Sequence, residues 1–168
     1  MKLFHNRVKW ISIFVLVAVV ASSVIVAINV LNPGEIEACR DQGCSPNFWR
    51  DNPGAWLGHA ADEAVNTVFS GADIYDVGIT TLYNVLKFRW NFSTSDPVAI
   101  EARSLLREAV TACLNVSHPD IDYHYAGTMV TSMVNDALAS GDTLKMHTLT
   151  KLLLRYNNAI CPLPPIVP

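Results

Sequence analysis

The hydrophobic and polar positions of the chain follow two regimes that meet near residue 31. From Ile11 to Leu31 the stretch ISIFVLVAVVASSVIVAINVL carries no charge, and about twenty such residues are what a helix needs to cross the hydrocarbon core of a bilayer. Lys2, Arg7 and Lys9 precede it with no acidic residue among them, a bias that holds the N-terminus in the cytoplasm and places the chain beyond Leu31 outside. The pattern predicts a cytoplasmic basic segment at 1–10 and a transmembrane signal-anchor at 11–31. Val19-Val20-Ala21 and Ala21-Ser22-Ser23 resemble the small-residue end of a secretory signal, but a signal core usually spans only about 7–15 residues, and this run continues past both sites. The expectation is therefore a single-pass cell-membrane protein with its C-terminal domain outside, or a secreted domain if the segment is cleaved.

Beyond the anchor the period changes from continuous to helical. Residues 32–43 lack periodicity and read as a tether. Ser45 then offers an N-cap and Pro46 the favoured first helical position, while Pro53 and Gly54 stop that helix within two turns. ADEAVNTVFSG and GITTLYNVLKFRW each suit a further helix, the second with Leu82, Leu86 and Tyr83 inward. DPVAIEARSLLREAVTACLNV has the clearest helical pattern, with Asp96 as cap, Pro97 at the first position, and Val98, Ala102, Leu105, Ala109, Ala112, Cys113 and Val116 along one stripe. Leu106, Val110 and Leu114 widen that stripe, which places this helix at the centre of the core. Val130, Met133, Val134, Ala137 and Leu138 share a face of the next helix, closed by Gly141. Asp142 caps a last one whose Leu149, Leu152, Leu153 and Tyr156 align. No stretch after the anchor alternates as a strand does. The fold class predicted is all-α: an N-terminal transmembrane helix followed by a small disulfide-bonded helical ectodomain over 44–163, ending in a proline-rich tail at 164–168.

Charge and cysteine content narrow the functional classes. All fifteen acidic residues, but only nine of the twelve basic ones, lie beyond Leu31, leaving that part with a formal charge of −6. Nucleic acid is an unfavourable partner for such a surface. The four cysteines, Cys39, Cys44, Cys113 and Cys161, all come after the apolar run, and an even number in an oxidising compartment reads as two disulfides. Their spacing is not that of a zinc site.

CSPNFWRDNPGAW gathers Phe48, Trp49, Arg50 and Trp56 into one short stretch. These side chains could stack on a ligand, or the tryptophans could be core, since each buries a large apolar area; the core reading is preferred. His59, Asp62 and Glu63 share a helical turn but lack the third ligand of a catalytic zinc site. His118, Asp120, Asp122 and His124 alternate in a turn that needs no cation, and they lack the glycine and terminal glutamate of a calcium loop. No nucleophile motif is present. The expectation is no cofactor, no metal and no enzyme. Asn91 and Asn115 begin glycosylation sequons; Asn91 lies in a polar loop, whereas Asn115 ends the core helix and is expected to be the more enclosed.

GCSPNFWRDNPGAW, LLREAVTACLNVSHPDIDY, MVNDALASGD and YNNAICPL, taken in this order, resemble a secreted-domain family of bacteria and archaea. Its members open with Gly-Cys-Thr-Pro-Gly-Phe/Tyr-Trp-Lys-Asn-His and close with Asn-Asn-x-Gly-Cys-Pro-Leu. The resemblance covers roughly 43–163 and implies an extracellular module with no established activity. Here Asn47, Arg50, Asp51 and Asn52 replace the family's Gly, Lys, Asn and His, so no role of that histidine carries over. The family keeps one cysteine in each end motif, which implies a Cys44 to Cys161 disulfide and leaves Cys39 and Cys113 for a second bridge. With that bridge in place, the proline and glycine breakers are expected to hold Trp49 and Trp56 against the last helix, beside Tyr156 and Ile160, as part of a structural knot. The function expected is a membrane-anchored extracytoplasmic structural or binding module, with the membrane and a surface protein as partners. The alternatives are an accessory subunit of a larger membrane complex and, less favoured, a secreted metal-dependent enzyme.

Overall fold

The computed structural model describes residues 41–87 and 95–164, all within the second of two units that divide between Ala38 and Cys39. The predicted anchor at 11–31, most of the tether, Cys39, Asn91 and all but the first residue of the tail lie outside the described residues. Among those described, no helix is long and apolar enough to cross a membrane.

The described chain is helical, with no strand beyond two isolated bridges. Its α-helices are α1 (Pro46–Asp51), α2 (Val65–Val68), α3 (Leu82–Leu86), α4 (Pro97–Ser117), α5 (Gly127–Ser140) and α6 (Thr143–Asn157), with 3-10 turns at Pro53–Ala55 and Ser70–Tyr75. Two of the three long helices, α4 and α6, start at the caps the sequence predicts. Asp96 accepts a hydrogen bond from the Val98 amide at 2.9 Å, and Pro97 follows it. Asp142 accepts from the Leu144 and Lys145 amides at 2.8 and 3.2 Å, satisfying two of the donors that a helix start leaves open. Gly141 ends α5 in the left-handed conformation, at φ +64°.

Helix α4 is the axis of the fold, packing along α6 and α5 and also receiving α1 and α3. Its Leu105, Leu106, Ala109, Val110 and Leu114 are buried against Val130, Val134 and Leu138 of α5 and Met146 and Leu153 of α6 within one apolar cluster. Each large side chain so buried contributes about 1.5–3 kcal/mol of hydrophobic stabilisation.

The region before α4 departs from the predicted run of helices. ADEAVNTVFSG forms a single turn, α2, and then passes into the 3-10 turn. The Val65 and Asn66 amides donate to the carbonyls of Thr80 and Gly78 at 2.8 and 3.0 Å, and the Leu82 amide donates to the Glu63 carbonyl at 2.9 Å. These cross-links, with the antiparallel bridge Ala64 to Thr81, stitch two loops together. Val65, Thr67 and Val68 are β-branched and give up little by leaving a helix. Helix α3 is likewise short, with Leu82 and Leu86 buried as expected and Tyr83 half-buried.

Candidate functional site

The Cys44 to Cys161 disulfide joins the opening and closing motifs across 117 residues, with the two Cα atoms 4.5 Å apart. The backbone around it is sewn in from both sides. Gln42 donates from its amide to the Asp122 carbonyl at 3.0 Å, and Gly43 donates to the Ile160 carbonyl at 3.2 Å, beside the parallel bridge Gln42 to Ile160. Gly43 passes so close to the end of α6 that an added Cβ would collide with the Tyr156 carbonyl. Glycine is required there by space.

Ser45 caps α1 by accepting from the Phe48 amide at 3.3 Å. That single turn drives Trp49 into complete burial, while Trp56 is 9 % exposed. The Trp56 indole donates to the Trp49 carbonyl at 3.0 Å, and Phe48 meets the Trp49 ring edge-on at 5.2 Å. Arg50 lies at the surface and grips Asp51 through two hydrogen bonds of 2.8 and 2.9 Å. The Asp51 hydrogen bond holds the guanidinium pKa above its usual value. The four residues therefore do not form one ligand face: the two tryptophans are core and Arg50 is spent on its neighbour.

The tryptophans are seated differently from the expected arrangement. Helix α1 packs on α3 and α4, Ile160 is 68 % exposed, and Tyr156 instead stacks on His124 with ring centroids 4.1 Å apart. The side chain that receives Trp49 is Asn115, on α4. Its carbonyl oxygen accepts from the Trp49 indole at 3.0 Å and from the Cys44 amide at 2.8 Å. Its amide nitrogen donates to the Cys44 carbonyl at 3.1 Å and to the Asn157 oxygen at 3.2 Å. Asn157 in turn accepts from the Tyr123 hydroxyl at 2.8 Å and donates to the carbonyl and carboxylate of Glu108, both at 2.9 Å. Arg107 closes the chain by donating to Glu108 at 2.8 Å. Burial raises the Glu108 pKa, with the Asn157 and Arg107 contacts opposing that shift; burial also raises that of Tyr123.

Two of the residues singled out from the sequence fall at this network and beside it. Asn115 begins a sequon, but in the fold it is fully buried with every amide hydrogen-bonding position engaged, so no glycan acceptor is presented there. Among the described residues Cys113 bonds to no other cysteine and lies buried; its expected partner Cys39 lies outside the described residues. Burial pushes the Cys113 thiol up to about 12, outweighing a hydrogen bond with Thr131. Such a thiol is a poor nucleophile.

The histidine and carboxylate groups separate in space. His59 meets Glu63 at 3.1 Å, and Glu63 also accepts from the Thr67 hydroxyl at 2.8 Å, while Asp62 is exposed. Burial raises the Glu63 pKa, but those two hydrogen bonds and the imidazole charge carry it below the ordinary glutamate value. In the 118–124 turn, His118 accepts from the Asp120 amide at 3.3 Å, Asp122 donates its amide to the Gln42 side chain at 2.8 Å, and His124 pairs with Asp41 at 2.9 Å. The turn is thus used to hold the segment at 41–42. Among the described residues no group of three or more His, Cys, Asp or Glu could hold a metal ion.

Sequence reasoning missed the Asn115–Asn157–Glu108 network. Its only trace is polar residues placed on the apolar faces of two core helices. It also missed the cavity that Cys113 lines together with His59 and the start of α5. No protein-family model, curated protein or solved structure matches the chain.

Proposed function

We propose that the chain is an extracytoplasmic, membrane-anchored structural or binding module and not a catalyst. The observation that carries this reading is the Cys44 to Cys161 disulfide, which closes the whole helical domain and suits an oxidising compartment. The uncharged run at 11–31 behind three basic residues supplies the anchor. The resemblance of the two end motifs to a secreted bacterial and archaeal domain family points the same way. The buried aromatics and the Asn115 network are spent on holding the fold, and burial keeps the Cys113 thiol from ionising. An accessible surface, and not a reaction centre, is then what the domain offers to a partner.

The test is topology and processing in the native membrane. The full chain should remain with the membrane after alkaline washing, keep its N-terminal segment by mass spectrometry, and yield to protease added from outside. A domain reachable only from the cytoplasmic side would refute the reading.

A further inference from the structure

The cavity that contains Cys113 has no part in the disulfide clasp. It is a pocket of about 520 Å³, open to solvent, between the second half of α4, α5 and the loop before α2, a volume within the usual range for small-molecule sites. Val68, Cys113 and Val116 give it apolar surface, and Ser117, Thr131 and Ser132 add hydroxyls. No Lys, Arg, Asp or Glu lines it. Its one ionisable ring is His59, whose Nδ1 is tied to Glu63 at 3.1 Å, leaving Nε2 for another partner. Glu63 is itself held by Thr67 at 2.8 Å, so the imidazole is oriented by a supported carboxylate, an arrangement that fixes a ring for recognition.

From this lining we infer that the cavity is a binding site for a small uncharged molecule with an apolar body and one hydroxyl or carbonyl group. The hydrocarbon part meets Val68, Val116 and the Cys113 sulfur, and the polar group meets the hydroxyls and His59. A charged ligand would lose part of its hydration with no opposite charge on the lining to offset the loss. This assignment rests on the binding-module reading and names the class of ligand.

The experiment uses the full chain in lipid nanodiscs with 13C-labelled valine methyl groups, titrated separately with hexan-1-ol, hexanoate and hexylammonium. Val68 and Val116 line the cavity, whereas Val134 is buried in the core away from it and serves as the control. The expected result is saturable movement of the Val68 and Val116 methyls with hexanol, at least tenfold weaker response to either ion, and a still Val134. Ser132→Trp, at an exposed position on the rim, should weaken the hexanol response at least tenfold while leaving the Val134 methyl in place. His59→Phe should weaken it severalfold without moving the unliganded spectrum of Val134. If Ser132→Trp disturbs the fold, Thr131→Val, which removes one lining hydroxyl at constant shape, gives the same comparison. No saturable response to hexanol, preference for either ion, or equal movement of all three valines overturns the inference. Topology does not enter this readout, so its failure and that of the anchored-module reading are separate results.

Discussion

The region before α4 and the three-helix body after it reach order by opposite means. In α4, α5 and α6 the apolar residues recur with helical spacing, the caps are local, and the helices bury one another along their length. Residues 41–87 contain only short helical pieces, and isolated helices of that length are not stable in water. At 63–82 two loops stitch each other together, but the opening stretch at 42–49 is ordered by bonds from distant parts of the chain: the Cys161 sulfur, the Ile160 and Asp122 carbonyls, and above all the Asn115 amide, which spans 71 residues to Cys44. The lesson is that a single polar side chain on a core helix can organise a segment with no strong folding pattern of its own.

The sharpest way to break this contrast is to remove the clasp. Cys44→Ser with Cys161→Ser should cost about 4 kcal/mol in urea unfolding, the chain-entropy scale for so long a loop. Amide exchange should quicken at Cys44 to Trp56 before it does in α5. A loss below about 1 kcal/mol would show that the opening segment stands without the disulfide.

Next in size, Asn115→Ala strands the Cys44 amide and carbonyl and the Trp49 indole and should cost about 3 kcal/mol. Leu153→Ala in α6 should cost a similar amount, about 2–5 kcal/mol, by opening a cavity. The two are distinguished by location. The asparagine variant should lose hydrogen-exchange protection chiefly around Cys44 and Trp49, and the leucine variant across the three helices; the same exchange map from both would erase the distinction.

A smaller effect is expected at Glu108. Its pKa is raised in the fold, so the folded state binds the proton more tightly than the unfolded chain does. The associated stability is fully present below the ordinary glutamate value of 4.5 and is lost as pH rises through the raised folded value. Glu108→Gln should flatten that fall when thermal midpoints are compared from pH 4 upward. An unchanged slope would place the source in another group. Smallest of all, Leu144→Gln, at a position 71 % exposed on the same helix as Leu153, should stay within about 0.5 kcal/mol of the parent in urea.

These contrasts also mark what the sequence makes legible. The stripes of α4, α5 and α6, with Asp96, Gly141 and Asp142 at their ends, follow from spacing and capping chemistry alone. Ser45 and Pro46 were legible for the same local reason. The single turn at Val65–Val68 was not, because its limits are set by the Thr80 and Gly78 carbonyls, contacts that no local pattern encodes. The tryptophans could be assigned to the core from their size, but not to Asn115, since no local pattern pairs an asparagine at the end of the core helix with a residue 66 positions away. Cys113 shows the same limit. Spacing puts Cys113 on the core stripe of α4, but the cavity it lines beside Thr131 depends on how α5 packs on that helix.

The central claim is that the aromatic segment is a structural knot clasped to the far end of the domain. Peptide mapping of the native full chain tests it most directly, with free thiols alkylated before and after unfolding and disulfides left intact. The account predicts a Cys44 to Cys161 linked peptide and a Cys113 that is alkylated only once the protein is unfolded. A Cys39 to Cys44 linkage, or a Cys161 recovered as a free thiol, would contradict it.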